Sequence, residues 1–280
     1  MTDTQHSGHS HGPALRTACS SCRLRDICMP VGLNAAEMAK IDQMVSTRVK
    51  IKAGENLFRS GGRFKSLYAV RTGFFKSTIG TPDGREQVSG FYISGEILGL
   101  DGMASGQHVS NTRALEDSDV CVLHVNLIND LAHHVPALQQ HVQKVMSKEI
   151  VNDHDHLFML GSMRADARLA SFLLNLLSRL HTRGQAQHEL LLRMTREDIG
   201  SYLGVTLETV SRSFSKLVKM GVLAVEQKRV RVLNPAALHQ IAEHEDAPIC
   251  QQPVLPSHLP AVAKRAGATS VPQVASLNPA

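Results

Sequence analysis

No run of roughly 18 apolar residues occurs in this 280-residue chain. Its opening stretch, MTDTQHSGHSHGPAL, is polar and histidine-rich, with no basic segment followed by an apolar one. The first absence argues against a membrane-crossing helix and the second against a secretory leader, so a cytoplasmic protein with no membrane partner is expected. Also missing are a nucleotide-binding glycine loop, a G-x-S-x-G turn and an H-E-x-x-H pair, which leaves an enzymatic reading without support. Nor is there a large excess of one charge. Thirty Lys and Arg against 25 Asp and Glu give a net +5, too mild by itself to argue for nucleic acid. Placement says more, because between Arg164 and Arg231 basic residues bracket apolar helical stretches, the distribution of a domain that faces phosphates.

Cysteine is scarce, five in all, and unevenly spread. Cys19, Cys22 and Cys28 form a C-x2-C-x5-C run, and Cys121 lies alone 93 residues beyond it. In a reducing cytosol such a cluster is metal-binding or catalytic more often than disulfide-bonded. Three thiolates on a short loop, with a fourth supplied by the fold, make the set that an iron-sulfur cluster or a four-cysteine zinc site requires, and the residues alone leave both open. Cys250 sits in a proline-rich tail and reads as a bystander.

Six segments follow from the patterning. Residues 1–18, with His6, His9 and His11 among Gly and Ser, are expected to be disordered, and residues 19–30 form the cysteine-rich loop. Residues 31–135 carry short β-branched or alternating runs (SLYAV, FFKSTI, EQVSGFYI, DVCVLHV) between glycine-marked turns, which predicts a compact β sandwich or barrel, with Cys121 in its last strand. Residues 136–163 switch to a helical pattern that Pro136 can start. Within it Met146, Ile150, Asp153, Leu157 and Leu160 follow a 4-3-4-3 spacing, an apolar seam for a partner helix with a carboxylate at its centre. Pairing two copies there brings two Asp153 side chains together, so desolvation and repulsion would make the dimer marginal and switchable, unless Asp153 lies at the hydrated edge of the seam. Residues 164–245 form a second, largely helical domain, and residues 246–280, with six prolines beyond Asp246, a disordered tail.

The second domain reads as a helix-turn-helix. Leu169, Phe172, Leu173 and Leu176 stripe its first helix; Thr195 and Asp198 make a capping box; Ile199 and Leu203 face inward; Gly204 turns the chain and Thr206 caps the next helix. VLAVEQ and RVRVLN add a wing. On the second helix Glu208, Ser211 and Arg212 stand at i, i+3 and i+4 and share a face. Arginine reads guanine O6 and N7, glutamate accepts from cytosine N4, and serine suits several edges. Lys216, Lys219, Lys228, Arg229 and Arg231 are candidates for phosphate contacts.

Taken in order over residues 15 to 240, the cysteine trio, GEILG with the solitary Cys121, the long helix and Glu208-Thr209-Val210-Ser211-Arg212 resemble the FNR (fumarate and nitrate reduction) regulators, a branch of the CRP/FNR superfamily. The resemblance implies an α+β fold: an N-terminal β-roll (a cyclic-nucleotide-binding-like jelly roll), a long dimerisation helix and a C-terminal winged helix-turn-helix. It implies a [4Fe-4S] cluster on Cys19, Cys22, Cys28 and Cys121, and a homodimer that forms while the cluster is intact. It also implies that oxygen dismantles the cluster through a [2Fe-2S] form. DNA binding to a TTGAT-N4-ATCAA-like palindrome read by Glu208, Ser211 and Arg212, contact with RNA polymerase, control of anaerobic respiratory genes and an aspartate at Asp153 follow from the same likeness. Arg23 beside a cysteine departs from the small residue that relatives often carry, Ile27 is expected to shield the cluster, and Arg85 stands where an acidic polymerase contact would be. Gly95-Glu96-x-x-Gly99 resembles the start of a cyclic-nucleotide cassette, but His108-Val109-Ser110-Asn111 lacks the arginine that holds the cyclic phosphate, so no cyclic nucleotide is expected.

Overall fold

A computed structural model describes residues 18–243, except 46 and 82. The ends for which disorder is expected, with His6, His9, His11 and Cys250, fall outside the described residues apart from Ala18. A 3-10 turn, Cys19–Ser21, and the one-turn helix α1 (Arg25–Cys28) carry the cysteine trio. Helix α2 (Ala35–Met44) follows; Asn34 and Glu37 close its first turn reciprocally, each side chain accepting from the other's backbone N–H at 2.9 Å.

The predicted β region is a roll of eight strands: β1 (Thr47–Ile51), β2 (Asn56–Phe58), β3 (Ser66–Thr72), β4 (Phe74–Gly80), β5 (Glu86–Ile93), β6 (Ile97–Leu98), β7 (Asn111–Ala114) and β8 (Ser118–His124). They form two antiparallel sheets, ordered β1-β8-β3-β6 and β2-β7-β4-β5. Strand alternation turns Val70, Phe75, Leu98, Ala114 and Val120 into the space between the sheets. Phe75 is fully buried there, and its truncation to alanine removes about 3–5 kcal/mol of packing.

Helix α3 (Val125–His134) leads into α4 (Pro136–Ser162), which has Pro136 in its first turn, where a missing N–H costs no hydrogen bond. Next come α5 (Ala165–His181), β9 (Glu189–Leu191), α6 (Arg196–Leu203), α7 (Leu207–Lys219), the hairpin β10 (Leu223–Glu226) and β11 (Arg229–Val232), and α8 (Pro235–Glu243). The α5 stripe read from the sequence, Leu169, Phe172, Leu173 and Leu176, is buried, and it shares one apolar core with Phe74, Val88, Phe91 and Ile93 of the roll. The wing has a third strand, β9, paired with β11, which the sequence reading left out.

Three joints fix the helix-turn-helix. Thr195 and Asp198 form the expected capping box, and Asp198 also pairs with Lys76 of β4. Gly204 adopts φ 64° at the end of α6. In mid-helix, a Cβ on Gly200 would lie 2.8 Å from the Val205 carbonyl oxygen, so only glycine lets the turn fold back so closely. Arg168 of α5 then gathers carbonyls at two helix ends, donating to Leu160 (2.8 Å) and Met163 (2.7 Å) at the close of α4 and to Leu203 (2.8 Å) at the close of α6. No helix among the described residues is long and apolar enough to cross a membrane.

Candidate metal centre and DNA-reading face

Antiparallel pairing places Cys121 in β8 opposite Arg48 of β1 and Ala69 of β3, and the N-terminal loop packs against β3 and β8. Cys19 and Cys121 are buried and Cys28 is half-buried in one cluster with Met29, Met38, Ile41 and Leu67. Ser20 ties the loop to α2, donating its N–H (3.1 Å) and hydroxyl (2.6 Å) to Asp42. The Cys28 thiol faces the Gly95 carbonyl at 3.8 Å, and Arg71 reaches the Cys22 sulfur at 3.8 Å. His141 of α4 hydrogen-bonds the Cys28 backbone, and burial holds its imidazole below the ordinary histidine range.

All four thiols are free, and they act on one another. Burial pushes the Cys19 thiol up to about 12, and the charges of Cys121, Asp42, Cys22 and Cys28 add to the rise. Burial likewise pushes Cys28 up to about 12, with Cys22 and Cys121 raising it and Arg183 opposing. Cys121 is raised mainly by burial, against the pull of Arg71. Four thiolates in this space repel one another and lack water, so the ionised set needs a cationic centre to hold it. The donors fit a thiolate-bound metal group. Among the described residues, no three Cys, His, Asp or Glu side chains are gathered closely enough to hold a single metal ion.

Ile27, expected to shield the cluster, is exposed and packs on the turn after β5, where a Cβ on Gly95 would come within 2.8 Å of it. Arg23 is exposed. Arg85 is exposed on the β4–β5 hairpin, paired with Asp83 at 2.8 Å. The contacts of Arg71, Asp42, His141 and Arg183 with the loop were not read from the sequence, since each arrives from a distant segment.

At the other end of the chain Thr206 caps α7, accepting from the Thr209 N–H at 3.2 Å. Glu208, Ser211 and Arg212 are exposed on one face of this helix, as their spacing predicts. The Arg212 guanidinium donates to the Thr209 hydroxyl at 3.3 Å. The helix N-terminus, through the Glu208 backbone N–H and Thr206, lowers the Glu208 carboxyl below its usual range. Arg196 lies 3.2 Å over the ring of Phe214 and bolts α6 to the buried side of α7. Of the basic residues around this face, Lys216 pairs with Asp166, Arg229 with Glu189 (3.3 Å) and Arg231 with Glu226 (3.6 Å), while Lys219 and Lys228 are exposed.

Along α4, Met146, Ile150, Asp153 and Leu157 are exposed, with Ile150 54% and Leu157 66% accessible. Leu160 is half-buried against the chain's own core beside Gly204. Val151 and Phe158, also exposed, widen the apolar surface beyond the seam the sequence indicated. Asp153 lies near enough to Glu149, Tyr92 and Tyr202 for its charge to act on all three.

A β-roll joined through a long helix to a winged helix-turn-helix with an exposed polar face defines a DNA-binding transcription factor. Residues 48–134 match the cyclic nucleotide-binding domain and residues 167–241 the Crp-like helix-turn-helix domain. The transcriptional regulatory protein btr of Bordetella pertussis is 43% identical over 227 residues, 81% of this chain and 94% of that protein. The fumarate and nitrate reduction regulatory protein of Escherichia coli K12 is 40% identical over 226 residues, 81% of this chain and 90% of that one. The solved structure of FixK2 from Bradyrhizobium japonicum superposes with a TM-score of 0.64 at 28% identity, covering 70% of this chain and 96% of that chain. The chain therefore belongs to the CRP/FNR family, as a transcriptional regulator and not an enzyme.

Proposed function

We propose that this protein is an oxygen-responsive member of its family. It holds an oxygen-labile [4Fe-4S] cluster on Cys19, Cys22, Cys28 and Cys121, pairs along α4 while the cluster is intact, and binds a TTGAT-N4-ATCAA-like palindrome to control anaerobic respiratory genes. The observation that carries this reading is the gathering of the loop cysteines with Cys121 in one partly buried, mutually repelling set. The 40% identity to a fumarate and nitrate reduction regulatory protein points the same way.

When bound, such a cluster supplies an oxidant-labile centre whose loss leaves four unligated thiols. The chain's own residues do the rest. Ser20 and Asp42 hold the loop on α2, His141 ties it to α4, and Arg71 and Arg183 offset negative charge at Cys22 and Cys28. Exposed Met146, Ile150 and Leu157 supply an apolar contact for a second copy, with Asp153 beside them limiting its strength. Glu208, Ser211 and Arg212 read each half-site, and RNA polymerase is the downstream partner.

The test is iron, sulfide and visible absorption on protein purified without oxygen, followed in air. About four irons and four sulfides per chain, with absorption that bleaches or shifts in air, is the expected result. Zinc in colourless protein would overturn the reading.

A further inference from the structure

The cassette that lacks its phosphate-binding arginine is not idle. Asp101 points its carboxylate into the stretch His108-Val109-Ser110. Its Oδ2 accepts from the Val109 N–H (2.9 Å), the Ser110 N–H (3.0 Å) and the Ser110 hydroxyl (2.9 Å), and its Oδ1 lies 3.1 Å from His108 Nδ1. An ionised carboxylate only accepts, so the ring nitrogen facing it carries the proton. Two consecutive backbone N–H groups, a hydroxyl and an imidazole N–H thus converge on one pair of anionic oxygens, the donor geometry that proteins use for phosphate oxygens. Burial raises the Asp101 carboxyl, but the hydrogen bonds from His108, Ser110 and Val109 outweigh it and hold the group below its usual range.

The donors are set in place by the rest of the roll. His108, 3% exposed, stacks on Phe58 at a ring separation of 3.8 Å and meets Phe64 edge-on at 5.5 Å. Its backbone is bonded on both sides, to the Gly62 carbonyl (2.9 Å) and from the Gly61 N–H (2.8 Å). Asp101 itself is delivered by the last glycine of the cassette motif. Gly99 has φ +95°, and a Cβ there would sit 3.3 Å from the Ser66 carbonyl oxygen and 3.4 Å from the His108 ring, so glycine alone turns the chain into the Leu100–Gly102 turn.

We infer that the Val109–Ser110 nest with His108 is an oxyanion site occupied by the chain's own Asp101, so that the β-roll is liganded from within and closed to phosphate-bearing small molecules. This holds whatever metal the cysteines take. An aspartate that merely pins a loop would, once removed, leave a damage that no anion repairs. An oxyanion site accepts a replacement.

The experiment is thermal melting of full-length wild type and Asp101→Gly in about 50 mM inorganic phosphate against chloride of equal ionic strength. Asp101→Gly should melt below wild type in chloride, and phosphate should raise its melting temperature by roughly 2–4 °C more than it raises that of wild type. Adding Ser110→Ala should remove the phosphate-specific gain. No phosphate-specific gain in Asp101→Gly would overturn the inference, as would an equal gain in wild type, which would mean the nest is already open. Should Asp101→Gly not fold, Asp101→Ser, which keeps a small hydroxyl at the turn, is put to the same comparison with the same two deciding outcomes.

Discussion

Glu96, on the turn between β5 and β6, is gripped at both carboxylate oxygens by Arg179 of α5, at 3.0 Å from Nε and 2.6 Å from Nη2. Arg183 adds a third bond at 2.9 Å, and the same turn presents the Gly95 carbonyl to Cys28. One turn of the roll is therefore in contact with both the cysteine loop and the first helix of the DNA-binding domain. Glu96→Gln leaves two guanidiniums without a counter-charge. Because both partners keep some access to water, the loss should be about 2–3 kcal/mol, below the roughly 3–5 kcal/mol of a fully buried pair. Urea unfolding measures it, and a change under about 0.5 kcal/mol would place the pair among ordinary surface contacts.

Cys28→Ala should purify without oxygen with its iron and sulfide largely lost and should not bind operator DNA, whereas Cys250→Ala should match wild type in both. Retained anaerobic operator binding by Cys28→Ala would falsify the cluster assignment.

Arg212→Ala should lose on the order of 1–3 kcal/mol of discrimination at one guanine while keeping its binding to unrelated DNA. Operators substituted one base at a time, compared at fixed salt, provide the readout. An unchanged base preference removes Arg212 from the reading face.

Asp153→Ala should pair with less dependence on the metal group, because a carboxylate beside Met146, Ile150 and Leu157 is gone from each copy. Sedimentation of the metal-free variant decides this, and association equal to wild type rejects the repulsion argument.

Glu149 of α4 accepts from the Tyr92 hydroxyl at 2.9 Å. Its carboxyl is raised from the ordinary 4.5 by burial and by Asp153 and Glu96, against the lowering hydrogen bonds of Tyr92 and Asn152. A carboxyl raised in the folded state contributes stability that is complete below pH 4.5 and lost as pH rises through the folded value. Glu149→Gln, still able to accept from Tyr92, should thus be the more stable protein at neutral pH. The difference should shrink as the pH falls, and denaturation at a series of pH values checks it. Equal pH dependence in the two proteins would contradict the raised carboxyl.

The elements legible in the sequence are those whose signals are local. Thr195, Asp198, Gly204 and Thr206 each act within four residues, and they bound α6 and α7 where the pattern put them. The α5 stripe and the turn-separated strands needed only periodicity. What escaped is what arrives from elsewhere. Strand β9 is three residues, too short to show alternation, and exists because β11 gives it a partner. Gly200 looks like a helix weakness until Val205 closes on it. The Leu160 position in the seam obeys the spacing, yet the side chain leans into its own core because α6 lies beside it. Asp101 had no mark as a ligand, and the three residues whose four donors it meets lie seven to nine positions away.

The guanidinium of Arg168 has a geometric consequence for any pair built along α4. By binding the last carbonyls of α4 and of α6 at once, it leaves no free swivel between the paired axis and the reading helix. The separation of the two reading helices is then a property of folded protein and not of a linker. B-form DNA turns once in about 10 base pairs, so one base pair added between half-sites rotates the second away by roughly 36°. Such a joint makes operator phasing stringent, and it makes a residue inserted between Ser162 and Ala165 more damaging to recognition than one inserted in the wing.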